Sequence, residues 1–160
     1  MKSLCAVTVV VLILCASVST IAADNVSVID GDTIKIDGRT IRLWGIDAPE
    51  LYQTCEREGK PFQCGEIARE VLKSFIQNDT PQCTKKATDR YKRTVAQCTV
   101  DGVDLGSAMV NLGWALDYEH YSKGFYAFEQ GKAQAKKRGL WNAKFTTPWG
   151  WRKDHRRSKH

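Results

Sequence analysis

Two short stretches hold residue types from which a catalytic site can be built. Asp30-Gly31-Asp32 sets two carboxylates either side of a glycine. Ile41-Arg42-Leu43-Trp44-Gly45-Ile46-Asp47-Ala48-Pro49-Glu50 opens near an arginine and closes on two carboxylates flanking Ala48-Pro49. Carboxylates gathered at loop ends suit a hard cation such as calcium, which takes about six to eight oxygen ligands and accepts water among them. An arginine beside such carboxylates suits a phosphate, because its planar fork donates two parallel hydrogen bonds to neighbouring oxygens. A third charged stretch, Asp89-Arg90-Tyr91-Lys92-Arg93, gathers three basic side chains around an aromatic ring.

Taken singly, each stretch has an ordinary structural explanation. Asp-Gly-Asp is most often a hairpin turn, Asp47 and Glu50 can cap a loop, Arg42 can be a solvated strand residue, and Asp89 to Arg93 reads as a charged hairpin tip. The elements around them decide how they are presented. Val26 and Val28, then Ile34 and Ile36, alternate with polar residues about the Asp30 turn. Asp37-Gly38 makes a second turn, and Thr40 to Ile46 forms a third strand, which together make a three-stranded meander. A polar loop from Ala48 to Gln63 follows. From Gly65 to Gln77, Ile67, Ala68, Val71, Leu72, Phe75 and Ile76 recur at helical spacing, and Asn78 and Pro81 stop the helix. Strands near Gln82–Lys86 and Arg93–Val100 flank Asp89. Asp104 caps a helix running to Leu112, and a last helix spans about Tyr126–Lys137, ended by Gly139. Five strands, with a helix after the third and two after the fifth, give an α+β chain whose order fits a five-stranded Greek-key β-barrel of the OB-fold type with three α-helices.

Composition narrows the class. The chain has 160 residues, 42% apolar and 26% charged, with four prolines and twelve glycines, which excludes disordered, collagen-like and repeat proteins. Residues 1–23 read as a secretory signal peptide: Lys2, an apolar run from Leu4 to Val18, then small residues up to Ala22 and Ala23. The run is shorter than a membrane span needs, and Leu14 before Cys15 argues against a lipoprotein signal. The expected destination is therefore secreted or periplasmic, with no stable membrane association after cleavage. Losing Lys2 takes the formal charge from +6 to +5, of which Arg152–His160, five basic residues against Asp154, carries +4. Residues 24–151 are thus an almost neutral folded domain and 152–160 a basic C-terminal tail, either a solvated terminus or an electrostatic arm for a polyanion. Cys55, Cys64, Cys83 and Cys98 remain after cleavage. An even number in an exported domain indicates disulfides, and the lack of closely spaced pairs argues against zinc. Cys55 and Cys64 lie in one loop and Cys83 and Cys98 on the strands flanking Asp89, so these are the expected pairs.

Together and in this order, Val28-Ile29-Asp30-Gly31-Asp32-Thr33, Ile41 to Glu50 and Asp89 to Arg93 resemble the three signature blocks of the staphylococcal (thermonuclease) nuclease family. Val110 to Ala115 and Ala135 to Trp141 extend the resemblance, which covers about Val26 to Trp141. It implies an OB barrel with three helices and a calcium-dependent endonuclease that hydrolyses DNA and RNA with little sequence preference, leaving 3′-phosphate ends. It implies that Asp32 and Asp47 hold calcium with the backbone carbonyl of Ala48, that Arg42 and Arg93 grip the scissile phosphate, and that Glu50 positions or deprotonates the attacking water. Asp30 would stand behind the metal ligands, and Tyr91 and Tyr121 would line the nucleotide pocket. The family usually has glycine where this chain has Lys92, so a left-handed backbone there would strain the lysine and tilt Arg93. Lys92 could equally add a phosphate contact. The expected form is a monomer.

Two other readings compete. A catalytically silent OB module would bind single strands through a basic groove and aromatic rings, but Asp32, Arg42, Asp47, Glu50 and Arg93 are all present, which favours the enzyme. A role in exopolysaccharide production, where some exported relatives are placed by name, finds no sugar-nucleotide motif here.

Overall fold

Alternation of apolar and polar residues at the start of the chain produces the expected meander. The computed structural model describes residues 25–77 and 79–157, so the expected signal peptide at 1–23 and the last residues of the expected tail lie outside the described residues. Strands β1 (Val26–Asp30), β2 (Thr33–Ile36) and β3 (Arg39–Leu43) pair antiparallel in sequence order. A bend at Trp44-Gly45 separates β3 from the short β4 (Ile46–Asp47). The segment expected to be a loop contains a hairpin of β5 (Cys55–Arg57) and β6 (Lys60–Phe62). Helix α1 (Cys64–Ile76) follows, burying Ala68, Leu72 and Ile76 along one face, as the apolar spacing requires.

Helix α1 returns the chain to the same sheet. Strand β7 (Gln82–Thr88) pairs antiparallel with β8 (Thr94–Val100), and β8 lies parallel to β3 with Ile41 opposite Thr94 and Arg42 opposite Val95. A parallel pair needs a long crossover, which the α1 segment supplies. The sheet order is β1-β2-β3-β8-β7, with β9 (Val103–Asp104) also on β8. Asp104 caps α2 (Leu105–Asn111), its carboxylate accepting the Ser107 N–H at 3.0 Å. Strand β10 (Leu116–Asp117) pairs with β4, and α3 (Glu119–Ser122), α4 (Ala127–Ala135), a 3-10 turn at Gly139–Asn142 and α5 (Pro148–Arg157) complete the chain.

The α+β class and the position of the first helix agree with the sequence reading, while two details do not. Among the described residues there are five α-helices rather than three, and the strand pairing forms an open main sheet with two small two-stranded sheets, not a closed five-stranded barrel. Helix α5 also runs through the expected domain boundary at Trp151, so the start of the basic segment is structured.

Both expected disulfides are formed, Cys55–Cys64 and Cys83–Cys98. Cys83 and Cys98 sit directly opposite each other in the β7–β8 register. The main core joins Ile34, Leu43 and Ile46 to Leu72, Met109, Val110 and Tyr126. A second cluster packs Cys55, Cys64, Leu116 and Leu140 beside Trp141 and Phe145, fastening the C-terminal stretch to the body. That second cluster carries α5 to the edge of the carboxylate-rich loops.

Candidate active site

The β1–β2 turn is shaped for close approach. A Cβ on Gly31 would lie 2.7 Å from the Ala48 Cβ and 2.8 Å from the Ala68 Cβ, so only glycine lets the Asp30–Asp32 turn sit this close to both segments. Within the turn, Asp30 Oδ1 accepts the Asp32 N–H at 3.0 Å. Asp32 Oδ2 accepts the Ala48 N–H at 2.8 Å, joining the first block to the second. Register does the rest: Arg42 stands opposite Thr33 on the neighbouring strand. Its guanidinium donates from Nη1 to Asp32 Oδ1 and from Nη2 to Asp47 Oδ1, the latter at 2.5 Å. One planar fork thus spans both aspartates.

Asp47 is fully buried and Asp32 nearly so. Its two oxygens are also held by an arginine from α5: Arg152 Nη1 donates to Asp47 Oδ1 at 3.0 Å and Nη2 to Oδ2 at 2.7 Å. The same Nη1 donates to Glu50 Oε1 at 2.7 Å. The Glu50 N–H donates to Gln53 Oε1 at 3.2 Å, and buried Gln53 donates from Nε2 to the Thr146 carbonyl at 2.7 Å. The Glu50 loop and the approach to α5 are therefore tied through one side chain.

Electrostatics follow from burial. Burial first, and then the Asp32 charge, push the Asp30 carboxyl up to about 7. Burial raises the Asp47 carboxyl above the ordinary aspartate range, while Arg152 and Arg42 pull it back. Burial alone would lower the Arg42 guanidinium, but the charges of Asp32 and Asp47 outweigh it and raise it. Burial likewise opposes the rise of Arg152, which its bonds to Asp47 and Glu50 produce.

For a hard cation the donors are of the right kind: two buried carboxylates, all oxygen, within the span of one guanidinium. Among the described residues no three His, Cys, Asp or Glu side chains gather to cage a metal unaided. Further ligands would have to be backbone oxygens and water, which calcium accepts. Asp32, Asp47 and Ala48 are thus brought together with Arg42, while Glu50 joins through Arg152.

The third block is placed differently. Parallel pairing of β8 with β3 sets Arg93 at the strand start beside Arg42's strand, but its guanidinium bonds elsewhere. Arg93 Nε donates to Asp89 Oδ2 at 2.7 Å, and Asp89 Oδ1 accepts the N–H groups of Tyr91 and Arg93. Lys92 does adopt the left-handed backbone, with φ of 63°. Tyr91 is exposed beneath the Arg90 and Arg93 guanidiniums. Tyr121 is exposed too, its ring edge-on to Tyr118, and Tyr118 stacks on Trp149 of α5 with centroids 5.4 Å apart. Sequence reasoning missed Gln53, Tyr118, Trp149 and Arg152 as site neighbours. Arg152 was visible only as part of a basic run, and Gln53 gave no signal.

The chain matches known proteins over most of its length. A family model described as staphylococcal nuclease homologue matches residues 40–143, which include Arg42, Asp47, Glu50 and Arg93. Over 120 residues the chain is 38% identical to the succinoglycan biosynthesis protein ExoI of Rhizobium meliloti (strain 1021), covering 73% of this chain and 63% of that protein. It is 37% identical over 134 residues to an uncharacterized endonuclease of Escherichia coli, covering 79% of this chain and 82% of the other. A micrococcal nuclease of Shigella flexneri is 33% identical over 146 residues, with 80% and 78% covered. On the extent of these matches, the chain belongs to the staphylococcal nuclease homologue family.

Proposed function

We propose that the protein is an exported, calcium-dependent endonuclease, acting as a monomer, that hydrolyses phosphodiester bonds of DNA and RNA with little sequence preference and leaves 3′-phosphate ends. The observation that carries this reading is the convergence of buried Asp32 and Asp47 on Arg42, with Glu50 at the rim. The names of the Escherichia coli and Shigella flexneri relatives support it, and the two disulfides support export. Asp32, Asp47 and the Ala48 carbonyl would hold calcium, which supplies charge to polarise a phosphoryl oxygen.

The chain's own residues account for the remainder. Arg42 sits where its fork can turn from the aspartates to a phosphate, donating two hydrogen bonds to adjacent oxygens. Arg93, released from Asp89, and Lys92 would add positive charge to the same diester, and Tyr91 and Tyr121 offer exposed rings to its nucleosides. Glu50 is partly exposed and can orient a water and take its proton at Oε as the water oxygen bonds to phosphorus and the P–O5′ bond breaks. The leaving oxygen takes a proton from solvent. Asp30 holds the Asp32 backbone in place.

Digestion of plasmid DNA and total RNA, with calcium and then with a chelator, tests the reading. Cleavage should require calcium and fall away in Asp47→Asn. Full activity in chelator, or none under either condition, would reject it. The name of the Rhizobium meliloti relative favours a second reading, a link to exopolysaccharide production, which concerns the process served rather than the bond broken.

A further inference from the structure

The geometry points to Arg152 as a built-in competitor of the metal: its guanidinium holds Asp47 and Glu50 until a divalent cation takes Asp47 from it. The inference rests on the calcium reading above and goes beyond it. Both Asp47 oxygens are occupied by guanidinium donors, Oδ1 by Arg42 and Arg152, and Oδ2 by Arg152 alone. Direct ligation at Oδ1 displaces one of its two bonds, and at Oδ2 a cation must share the oxygen with the Arg152 guanidinium, whose like charge opposes it. Arg42 alone could compensate Asp47 at Oδ1, so the contact at Oδ2 is the specific contribution of Arg152.

This contact is not the chance reach of a loose end. Lys144 and Glu56 exchange backbone hydrogen bonds at 2.8 and 3.0 Å, Gln53 holds the Thr146 carbonyl, and Trp149 stacks on Tyr118. These three ties fix the path into α5 and aim Arg152 at the site. Arg152 and Asp47 are 105 residues apart in sequence, and the matched family segment ends at 143, before α5 begins. The pairing also satisfies a charge requirement. Asp47 is fully buried, and a buried carboxylate without a partner is strongly destabilising. Arg152 meets that need in the metal-free protein, and a bound cation would meet it instead.

The two partners of Asp47 therefore oppose each other. A protein whose binding-competent state is populated one part in ten binds about tenfold more weakly than its intrinsic affinity. Arg152→Gln removes the competitor, so calcium should bind more tightly, by about tenfold where the metal-ready state is one part in ten of the parent. If Arg152 merely braced the site, its loss would loosen Asp47 and weaken calcium binding. The sign of the change separates the two.

The test is calcium titration calorimetry on the chain from Asp24 onward, comparing the unaltered protein with Arg152→Gln, Arg152→Lys and Asp47→Asn, alongside thermal unfolding with and without calcium chloride. The expected result is tighter calcium binding in Arg152→Gln, a smaller gain in Arg152→Lys, which keeps the charge but not the fork, and a lower calcium-free midpoint that calcium raises further than in the parent. Should Arg152→Gln not fold, Arg152→Lys decides by the same sign. Unchanged or weaker calcium binding in the folded variants overturns the inference. If Asp47→Asn abolishes binding while the Arg152 variants match the parent, the inference falls and the calcium site stands. If the parent binds no calcium, or Asp47→Asn binds as well as the parent, the calcium reading falls and the inference with it.

Discussion

Replacing Gly65 with alanine should damage Glu50 without touching a charged group. Gly65 is the second residue of α1, and a Cβ there would lie 1.8 Å from the Glu50 carbonyl oxygen and 2.7 Å from both the Glu50 carbonyl carbon and the Leu51 oxygen. Cβ contacts essentially never fall below 3.0 Å, so about 1.2 Å of separation must be found between two stretches of backbone. The helix start is poorly able to yield. Cys64 is bonded to Cys55, and the Gly65 N–H donates to the Gln53 carbonyl at 3.2 Å. The loop bearing Glu50 must move instead. Overpacking of this kind costs about 1–3 kcal/mol, an expected fall of about 10 °C in Tm at the upper end. Moving a catalytic group by about 1 Å costs about 10²-fold in rate. Nuclease kcat measured well below the unfolding transition separates the two effects. Gly131→Ala is the control. It lies within α4 with nothing inside 4 Å of an added Cβ, so a gain of about 0.5–1 kcal/mol with unchanged kcat is expected. If Gly65→Ala keeps parental stability and kcat, the close contact between α1 and the Glu50 backbone is refuted.

Glu50→Gln should lower kcat by about 10²–10⁴-fold with an unchanged circular dichroism spectrum; near-parental turnover would remove Glu50 from the reaction. Lys92→Gly should raise unfolding stability by about 1 kcal/mol by relieving the left-handed backbone, and a chemical denaturation midpoint shifted downward would contradict this. Asp89→Asn should change the acid limb of the stability profile. Burial opposes the shift, but the side-chain and backbone hydrogen bonds from Arg93 and its charge hold the Asp89 carboxyl below the ordinary range. A depressed folded pKa gives stability that is complete above the unfolded aspartate value of about 4 and is lost as pH falls through the lower folded value. The variant should therefore lose less stability than the parent on acidification below about pH 4, and parallel acid limbs would show that the Asp89–Arg93 contact contributes nothing.

What could be read in the sequence was what local rules record. The period of Ile67, Ala68, Val71, Leu72 and Ile76 located α1, and the alternation about Asp30-Gly31-Asp32 located β1 and β2, because each pattern reflects one buried face. The disulfides followed from the same elements, since Cys83 and Cys98 had to face each other once β7 and β8 paired. The β5–β6 hairpin escaped because its strands are three residues long, its turn uses Glu58-Gly59, and Pro61 lies inside a strand. Closure of the sheet escaped as well. Strand order in the chain indicates which elements exist, but edge pairing depends on twist and on where α2 and α4 pack.

Helix α5 was hidden for a different reason, and the charges already visible in the blocks held a clue to it. Asp30, Asp32, Asp47 and Glu50 are four carboxylates in two adjoining loops, yet the same loops supply one arginine, Arg42. Burial makes that imbalance costly, most of all for Asp47, and Arg42 is already shared with Asp32. The imbalance calls for a second cation from elsewhere in the chain. Of the two arginines in the third block, Arg93 is committed to Asp89 and Arg90 lies over the Tyr91 ring. The choice among the remaining basic residues depends on contacts that no short window contains: the 102 positions that separate Glu50 from Arg152 are bridged where Leu140 and Phe145 pack beside Cys55 and Cys64 and where Gln53 holds the Thr146 carbonyl. Folding thus converts what reads as a solvated basic tail into a counter-charge. The unmatched carboxylates fix the sign of that partner, while the packing of the C-terminal stretch fixes its position.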